Sequence, residues 1–373
     1  MPIAEKLKKT EPKRLLALDG GGIRGMLSIE VLAKIEALLQ AKLGRDDGFV
    51  LADYFDYIAG TSTGAIIATC LSLGMRVSQV RSFYEENGRE MFSRASILKW
   101  AHYKYEDAKL AAKLREVLGK DTTLGSDRVR TLLLLVMCNV KTDSPWLVSN
   151  NPYAKYNERT RPDCNLDLPL WQLIRASTAA PTFFPPEIVT IGPRDFIFVD
   201  GGVTAYNNPA FMLFLMATME PYRLCWPTGE KSMLLVSVGT GATPTIDADL
   251  EPSSMHLVYN AKSVPYALMH SALNEQDLLC RTFGRCMAGD LLDRELGDLR
   301  APFKGPVEPR LFTYLRYNAE LTADGLRSLG LKQDIAPERV RKLDSVEHID
   351  EIKQVGRAVA MKVLSEHFDQ FVP

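Results

Sequence analysis

The sequence predicts an α/β protein in which a mostly parallel sheet lies between layers of helices. Short buried apolar runs alternate with amphipathic helical segments along the chain, and this alternation is typical of parallel sheets. A strand, a glycine turn and a helix follow one another twice, around Gly20 and around Gly64. Composition agrees with a packed core, because 46% of the residues are hydrophobic and 24% are charged.

The first third of the chain supplies both of these units. Residues 14–18 form a short apolar run stopped by an aspartate and three glycines, which predicts a buried strand. Residues 27–38 carry apolar side chains at spacings of three and four, which predicts a helix. Residues 57–59 predict the next strand, and residues 65–73 predict an apolar helix closed by Gly74.

Later segments repeat the alternation. A helical stripe lies within residues 110–117, and residues 132–137 form a Leu-rich run typical of a strand covered on both faces. Residues 196–199 predict a strand that ends at an Asp-Gly-Gly turn, and a helix is expected over residues 210–219. Residues 233–238 predict a further buried strand.

Charge and segment lengths exclude several classes of protein. Lys and Arg number 45 against 46 Asp and Glu, so overall charge predicts binding neither to a nucleic acid polymer nor to an anionic membrane. The basic N-terminus lacks the apolar stretch of a secretory signal, so we expect a cytoplasmic protein. The longest apolar run, residues 131–140, is about half the ~20 residues that span a membrane, so contact with lipid is expected to be peripheral. The cysteines form no CxxC pairs, which predicts reduced thiols and suggests no zinc site. We expect neither a metal nor a cofactor.

The segment Gly-Thr-Ser-Thr-Gly around Ser62 fits a nucleophile elbow. In this motif a serine lies on a strained turn between a strand and a helix, and flanking glycines, here Gly60 and Gly64, let the backbone fold sharply. A bare match is weak evidence and often only a tight turn. The predicted strand before it and apolar helix after it meet the condition that the motif requires.

A second glycine turn, after residues 14–18, offers several backbone N–H groups to one anion. The candidate donors of an oxyanion hole are those of Gly20, Gly21, Gly22 and Ile23. A phosphate-binding loop is the rival interpretation, because Gly20, Gly22 and Gly25 satisfy GxGxxG. No acidic strand end about 20 residues further on suits a ribose, which speaks against it. The third interpretation is a turn without chemistry.

A serine nucleophile needs a base within hydrogen-bond reach. The chain has five histidines, and none has a strand-end, glycine-flanked setting; they are His102, His256, His270, His348 and His367. Asp200 follows a predicted strand and precedes Gly201 and Gly202, which allow close approach to another backbone. In open parallel sheets ligands gather at the carboxyl ends of strands, where Ser62 and Asp200 are expected to meet. From the residues alone, a base and a helix cap or turn residue are equally supported for Asp200.

These motifs together resemble the signature blocks of patatin-like phospholipases. The blocks are Asp-Gly-Gly-Gly-Ile-Arg-Gly from Asp19, Gly-Thr-Ser-Thr-Gly around Ser62, and Asp-Gly-Gly from Asp200, and residues 176–185 and 236–241 are also similar. The resemblance implies a three-layer α/β/α fold and a Ser–Asp dyad without histidine. It also implies hydrolysis of acyl esters in phospholipids, lysophospholipids or galactolipids, with membrane phospholipid as the substrate.

The resemblance also divides the chain and assigns roles. Residues 14–241 are expected to form the catalytic core, and residues 242–373 a mostly helical elaboration of the same domain. Asp200 would accept the Ser62 proton, and N–H groups around Gly21 and Gly22 would bind the oxyanion. We expect Arg24 to brace this loop rather than to hold the lipid phosphate.

Two alternatives stay open at this point. The chain also resembles patatin-like effectors of bacterial anti-phage systems, which degrade membrane lipid once a cyclic nucleotide binds. Its C-terminal region would then hold a sensor or a homo-oligomer interface, with Arg281, Arg285 and Arg294 as phosphate contacts. The other alternative is a catalytically idle lipid-binding scaffold. Residues 211–216 are expected in the core, and the aromatic and basic residues 91–105 are a candidate interfacial segment.

Overall fold

The computed structural model describes residues 3–10, 12–91, 107–244, 257–293, 295–331 and 335–372. The strands are β1 (Lys13–Leu18), β2 (Tyr57–Thr61), β3 (Leu132–Asn139), β4 (Ser144–Ser149), β5 (Glu187–Ile191), β6 (Arg194–Asp200), β7 (Met233–Val238), β8 (Arg285–Ala288) and β9 (Thr313–Tyr317). The α-helices are α1 (Ile3–Leu7), α2 (Gly25–Lys42), α3 (Leu51–Tyr54), α4 (Thr63–Ser72), α5 (Val77–Met91), α6 (Asp107–Leu118), α7 (Leu170–Ser177), α8 (Ala210–Thr218), α9 (Leu257–Phe283), α10 (Ala323–Ser328), α11 (Pro337–Val340) and α12 (Ile349–Ala360).

The described strands form one nine-stranded sheet. Its order is β5-β6-β3-β2-β1-β7-β9-β8, and β4 also pairs with β3. Every pair from β3 through β2, β1, β7 and β9 to β8 is parallel. The pairs of β3 with β4 and β6, and of β5 with β6, are antiparallel. The prediction of a mostly parallel sheet is confirmed.

Both faces of this sheet are covered by helices. Leu16 and Leu18 of β1 belong to a core shared with α2, α4, α7 and α12, while Leu15 and Ala17 of β1 belong to a second core shared with α8. Alternate side chains of a strand point to opposite faces, so the two cores lie on opposite sides of the sheet. The protein is therefore a three-layer α/β/α sandwich. The expectation that residues 211–216 pack in the core is confirmed by the second of these clusters.

One edge of β3 is shared by two strands that run in opposite directions. β4 pairs with residues 134–139 of β3, so β2, which pairs with residues 132–136, must occupy the other edge. β6 pairs with residues 137–139 and therefore continues along the same edge as β2. Thr61 lies opposite Val136, and Asp200 lies opposite Met137. The carboxyl ends of β2 and β6 consequently meet head to head.

The C-terminal third contributes to this same sheet. β9 pairs with β7 from Leu234 opposite Thr313 to Val238 opposite Tyr317. α12 packs on α2, where Gly356 approaches the Leu27 carbonyl closely enough that a β-carbon would crowd it. Residues after 241 are thus adjacent to the first strand-turn-helix unit of the chain.

The structure bears on membrane-spanning helices and on the candidate interfacial segment. None of the described helices combines the length and the apolar composition needed to cross a bilayer. The candidate interfacial segment falls mostly on residues 92–106, which lie outside the described part of the chain, and Met91 at its start is buried.

Candidate active site

Ser62 occupies a strained turn between β2 and α4. Its backbone has φ 55° and ψ −124°, a conformation that costs a non-glycine residue about 1–3 kcal/mol. Close packing explains the two flanking glycines. A β-carbon on Gly60 would overlap the backbone of Gly64, and a β-carbon on Gly64 would overlap the Leu18 carbonyl. The sharp turn leaves the Ser62 side chain partly exposed, where a substrate can reach it.

The Ser62 hydroxyl is hydrogen bonded to a buried carboxylate. Ser62 Oγ donates to Asp200 Oδ2 at 2.6 Å. The other carboxylate oxygen, Oδ1, accepts the Gly202 N–H at 2.6 Å, which fixes the plane of the carboxylate. Asp200 is 5% exposed. These two contacts leave Oδ2 directed at the Ser62 proton.

Burial changes the acidity of this carboxyl group. It raises the pKa of Asp200 to about 6, although the hydrogen bonds from Ser62 and Gly202 and the positive charge of Arg175 oppose the rise. Removal of a carboxylate from water disfavours its charged form, which accounts for the direction. A carboxylate with this pKa is ionised at pH 7, yet it is a stronger base than an exposed aspartate.

One segment, residues 176–180, forms hydrogen bonds with the backbone of both Ser62 and Asp200. The Ser62 N–H donates to Ser177 Oγ at 3.0 Å, and the Asp200 N–H donates to the Ala179 carbonyl at 3.0 Å. Ser177 Oγ in turn donates to the Val136 carbonyl at 2.6 Å. A β-carbon on Gly201 would overlap that same carbonyl, so this glycine lets β6 approach β3.

The three described histidines have partners elsewhere. His270 Nε2 lies 3.1 Å from the Asn274 amide, His348 Nδ1 lies 3.2 Å from Glu351, and His367 Nδ1 lies 2.7 Å from the Tyr317 hydroxyl. His102 and His256 lie outside the described residues. Asp200 is therefore the hydrogen-bond partner of Ser62 in the part of the chain that the structure describes.

Two of the four predicted oxyanion donors are already engaged. The Gly20 N–H donates to the Asn207 carbonyl at 3.1 Å, and the Ile23 N–H donates to the Leu343 carbonyl at 2.9 Å. In this conformation neither N–H is free to bind an oxyanion, because each is satisfied by another segment. Within the described residues the N–H groups of Gly21 and Gly22 have no acceptor. These two remain the candidate donors.

Close contacts require glycine in this loop. Gly22 has φ +59°, and a β-carbon there would overlap the Leu343 carbonyl. A β-carbon on Gly21 would overlap the Thr240 side chain, whose hydroxyl donates to the Gly20 carbonyl at 2.7 Å. A β-carbon on Gly20 would lie 3.2 Å from Ser62 Cβ. The loop therefore packs directly beside the nucleophile.

Arg24 contacts the loop and the C-terminal third. Its Nε donates to the Gly21 carbonyl at 3.4 Å, and one terminal nitrogen donates to the Arg341 carbonyl at 3.3 Å. Burial lowers the pKa of Arg24 to about 10, while the nearby Asp19 and Tyr266 oppose the shift. These contacts are those of a bracing residue.

The phosphate contacts expected from three arginines are contradicted at one of them. Arg281 is 2% exposed and forms two parallel hydrogen bonds to Asp277, both at 2.9 Å. Its guanidinium also donates to the Asp290 carbonyl at 2.8 Å, so it is committed to an internal ion pair. Arg285 is partly buried on β8, and Arg294 lies outside the described residues.

Sequence reasoning missed several residues that hold the site. Ser177 and Thr240 lie in the two stretches noted for their resemblance, but no pattern assigned them a role. Asn207, Arg316 and Leu343 lack a local signal, because each reaches the site through pairing of distant segments. A spacing rule within one element cannot find such contacts.

The fold and the site together define an α/β protein with a nucleophile-elbow serine. Residues 16–214, more than half of the chain, match the family described as patatin-like phospholipase. The chain belongs to the patatin-like phospholipase family. Patatin-17 of Solanum cardiophyllum is 30% identical over 250 residues, covering 62% of this chain and 61% of the relative. Patatin-T5 of Solanum tuberosum is 29% identical over 250 residues, with the same coverage.

The chain therefore aligns with less than two thirds of the length of these patatins. Among solved structures, human GIVD cytosolic phospholipase A2 aligns with 98% of this chain and 61% of its own, at a TM-score of 0.49 and 14% identity. VipD from Legionella pneumophila aligns with 92% of this chain and 67% of its own, at a TM-score of 0.39 and 14% identity.

Proposed function

We propose that this protein is a serine acyl hydrolase that cleaves fatty acyl esters of membrane phospholipids. The observation that carries the proposal is the 2.6 Å hydrogen bond from Ser62 Oγ to Asp200 Oδ2 at a strained elbow. A serine hydroxyl becomes nucleophilic when a base can take its proton. Membership of the patatin-like phospholipase family supports the choice of lipid ester as substrate.

The first half-reaction transfers the acyl group to the enzyme. Asp200 Oδ2 accepts the proton as Ser62 Oγ forms a bond to the ester carbonyl carbon, and the carbonyl oxygen becomes an oxyanion. The N–H groups of Gly21 and Gly22 donate to that oxyanion, and the N-terminus of α4 favours its charge. The ester bond then breaks, and the departing alcohol oxygen takes the proton from Asp200.

The second half-reaction releases the fatty acid. A water molecule gives a proton to Asp200 and attacks the acyl carbon, and the same N–H groups stabilise the second oxyanion. The bond to Ser62 Oγ breaks, and the proton returns from Asp200 to Ser62. One carboxylate thus acts as base and acid in both halves, so the cycle closes without a histidine.

Apolar side chains beside the site support a lipid substrate. Val203, three residues after Asp200, is 45% exposed, and Tyr266 of α9 is 56% exposed. Tyr266 lies near enough to Arg24 to affect the pKa of that guanidinium. Exposed apolar groups around a reactive serine suit an acyl chain or a peripheral membrane surface.

The test compares hydrolysis by the purified protein with that by one variant. We expect release of fatty acid from phospholipid vesicles and of alcohol from a short-chain ester, and we expect Ser62→Ala to abolish both. Ser72→Ala is the matched control, because Ser72 is a fully buried serine at the other end of α4, where its hydroxyl accepts from Thr131 at 2.8 Å. Hydrolysis by Ser62→Ala at the wild-type rate would contradict the proposal.

Two further arms address the alternatives. Addition of a panel of cyclic nucleotides tests for a gated enzyme, in which hydrolysis is absent until a nucleotide is added. Vesicle binding without hydrolysis under any condition would favour an idle lipid-binding scaffold. Basal hydrolysis that depends on Ser62 supports an enzyme that needs no activator.

A further inference from the structure

The residue immediately before the glycine loop is tied to the C-terminal third of the chain. Asp19 is 1% exposed, and its two carboxylate oxygens accept from Arg316 at 2.9 and 2.6 Å. This is a bidentate pair, which fixes orientation as well as distance. The two residues are 297 positions apart.

Arg316 is itself held rigidly. It lies on β9 directly opposite Ser237 of β7. Arg316 Nη1, one of the two nitrogens that contact Asp19, also donates to Ser237 Oγ at 2.7 Å. Arg316 is 3% exposed. The Asp19 N–H donates to the Val238 carbonyl at 3.1 Å, so both the backbone and the side chain of Asp19 are fixed by strands on the same side of β1.

The other end of the loop is also bound to the C-terminal third. The Ile23 N–H donates to the Leu343 carbonyl at 2.9 Å, and Arg24 donates to the Arg341 carbonyl. Gly21 and Gly22 lie between these two fixed ends. The orientation of their N–H groups therefore depends on residues far beyond the segment 16–214 that matches the family, as well as on the Asn207 carbonyl that Gly20 contacts.

We infer that Arg316 is a positioning residue for the oxyanion hole. It acts through Asp19, whose carboxylate it orients, and so sets the path by which the chain enters the loop at Gly20. This inference rests on the proposed function, because it gives Gly21 and Gly22 the task of binding the oxyanion. Donors of this kind work only within a narrow range of distance, and a displacement of about 1 Å can cost about 100-fold in rate.

The test uses variants of the full chain and a short-chain ester. Arg316→Gln is expected to lower kcat by about 100-fold with KM unchanged, because the loop acts on the transition state and not on ground-state binding. The double variant Asp19→Asn/Arg316→Gln removes both charges, so no buried carboxylate is left unpaired, and kcat should stay low. Arg316→Lys keeps the charge but lacks the planar fork, so its kcat should be intermediate.

A double-mutant cycle with the loop gives a second measurement. If Arg316 acts through the loop, Arg316→Gln should add little further loss of kcat in a Gly22→Ala background, since residues that act as a unit are strongly non-additive. If the fold-loss in kcat of the double variant equals the product of the two single fold-losses, Arg316 and the loop act independently, and the inference is overturned.

The matched control is the double variant Asp277→Asn/Arg281→Gln. Arg281 forms a bidentate pair with Asp277 that is similarly buried but does not contact the loop. Both charges are removed because an unpaired Asp277 carboxylate would act on the nearby Asp19 and Arg316. The control should reduce thermal stability and leave kcat per folded molecule unchanged. A folded Asp19→Asn/Arg316→Gln variant, or a folded Arg316→Lys, with wild-type kcat would overturn the inference, as would an equal loss in the control. Wild-type hydrolysis that survives Ser62→Ala would instead overturn the proposed function, so the two failures are distinguishable.

Discussion

The Ser177 hydroxyl accepts a hydrogen bond from the backbone N–H of Ser62 and donates one to the Val136 carbonyl. The elbow is thereby tied to β3, the strand along which the ends of β2 and β6 meet. Ser177 is fully buried, so water cannot replace these hydrogen bonds. The position of the nucleophile therefore depends on a hydroxyl that does not take part in the reaction.

Ser177→Ala should lower both stability and turnover. The part-buried Ser62 N–H would lose its acceptor and the buried Val136 carbonyl would lose a donor, which together cost about 1–3 kcal/mol in the free energy of unfolding. The elbow would also be less firmly held, so kcat should fall while Ser62 and Asp200 are intact. Urea unfolding and ester hydrolysis measure the two effects. Ser72→Ala, in the same helix as the elbow, should leave kcat unchanged, and an unaffected kcat in Ser177→Ala would contradict this role.

The pKa of Asp200 predicts the acid limb of the pH profile. The carboxyl group can accept the Ser62 proton only when it is ionised, and burial raises its pKa to about 6. The value of kcat/KM should therefore fall about tenfold per pH unit below pH 6 and level off above it. Hydrolysis of a neutral short-chain ester across pH 4 to 8 provides the measurement. A limb near the ordinary aspartate pKa of about 4 would contradict the effect of burial.

Asp200→Asn should separate the dyad from a serine–histidine mechanism. The amide keeps the shape of the side chain but cannot accept a proton, so kcat should fall by about 100-fold or more. Single alanine variants at the five histidines are the controls, namely His102, His256, His270, His348 and His367. If one of these histidine variants is folded and as impaired as Asp200→Asn, that histidine would be the base and the Ser–Asp dyad would be contradicted.

Gly22→Ala should reduce turnover far more than its backbone strain alone explains. Gly22 and Gly44 have the same φ of +59°, but a β-carbon on Gly22 would meet the Leu343 carbonyl, whereas Gly44 has open space around it. Gly44→Ala therefore measures the cost of the conformation by itself. We expect a loss in kcat of about 100-fold for Gly22→Ala, as for removal of one oxyanion donor, and none for Gly44→Ala.

Gly21→Ala tests the neighbouring donor. A β-carbon there would overlap Thr240, so the loop must shift and a comparable loss in kcat is expected. Thermal unfolding of both loop variants shows whether the fold is retained. Unchanged kcat in Gly21→Ala and in Gly22→Ala would remove the oxyanion assignment, and a phosphate loop would instead show altered nucleotide affinity.

Tyr266→Ser should distinguish vesicle substrates from soluble ones. Tyr266 is 56% exposed and lies close enough to Arg24 to affect the pKa of that residue, so loss of its ring without a new charge should weaken hydrolysis of phospholipid vesicles and leave a short-chain ester unaffected. Tyr153 is similarly exposed, at 49%, but it follows β4, which pairs with β3, whereas α9 packs on β8 and β9. Tyr153→Ser should therefore have no effect on either substrate. If both variants hydrolyse vesicles equally slowly, the side of the protein that carries Tyr266 is not a specific lipid-facing surface.

The sequence predicted the local parts of this site well. Strand, glycine turn and helix are adjacent in the chain, so periodicity and turn chemistry were enough to place Ser62 on its elbow. The position of Asp200 at a strand end accounts only in part for its contact with Ser62. Its strand, β6, is antiparallel to β3, so the rule for carboxyl ends of parallel strands does not bring it to Ser62. A shared edge of β3 does, and strand pairing of this kind cannot be read from one segment.

The loop around Gly21 shows a second limit. Four N–H groups near a glycine turn are equivalent in sequence, and only the distant carbonyls of Asn207 and Leu343 decide which are engaged. Arg316 likewise gave no signal, because its partner Asp19 lies in another strand-turn unit. The sequence gives no sign that residues after 241 contact the glycine loop, since that contribution depends on β9 lying next to β7.

The position of β1 between β2 and β7 has a practical consequence for handling the protein. The family match ends at residue 214, before β7 begins at Met233. A fragment that ends at residue 214 would leave one side of β1 as an open row of backbone donors and acceptors, on a strand whose residues 15–18 are apolar on both faces. Such edges recruit other chains, so the trimmed fragment should form insoluble aggregates rather than a small independent enzyme.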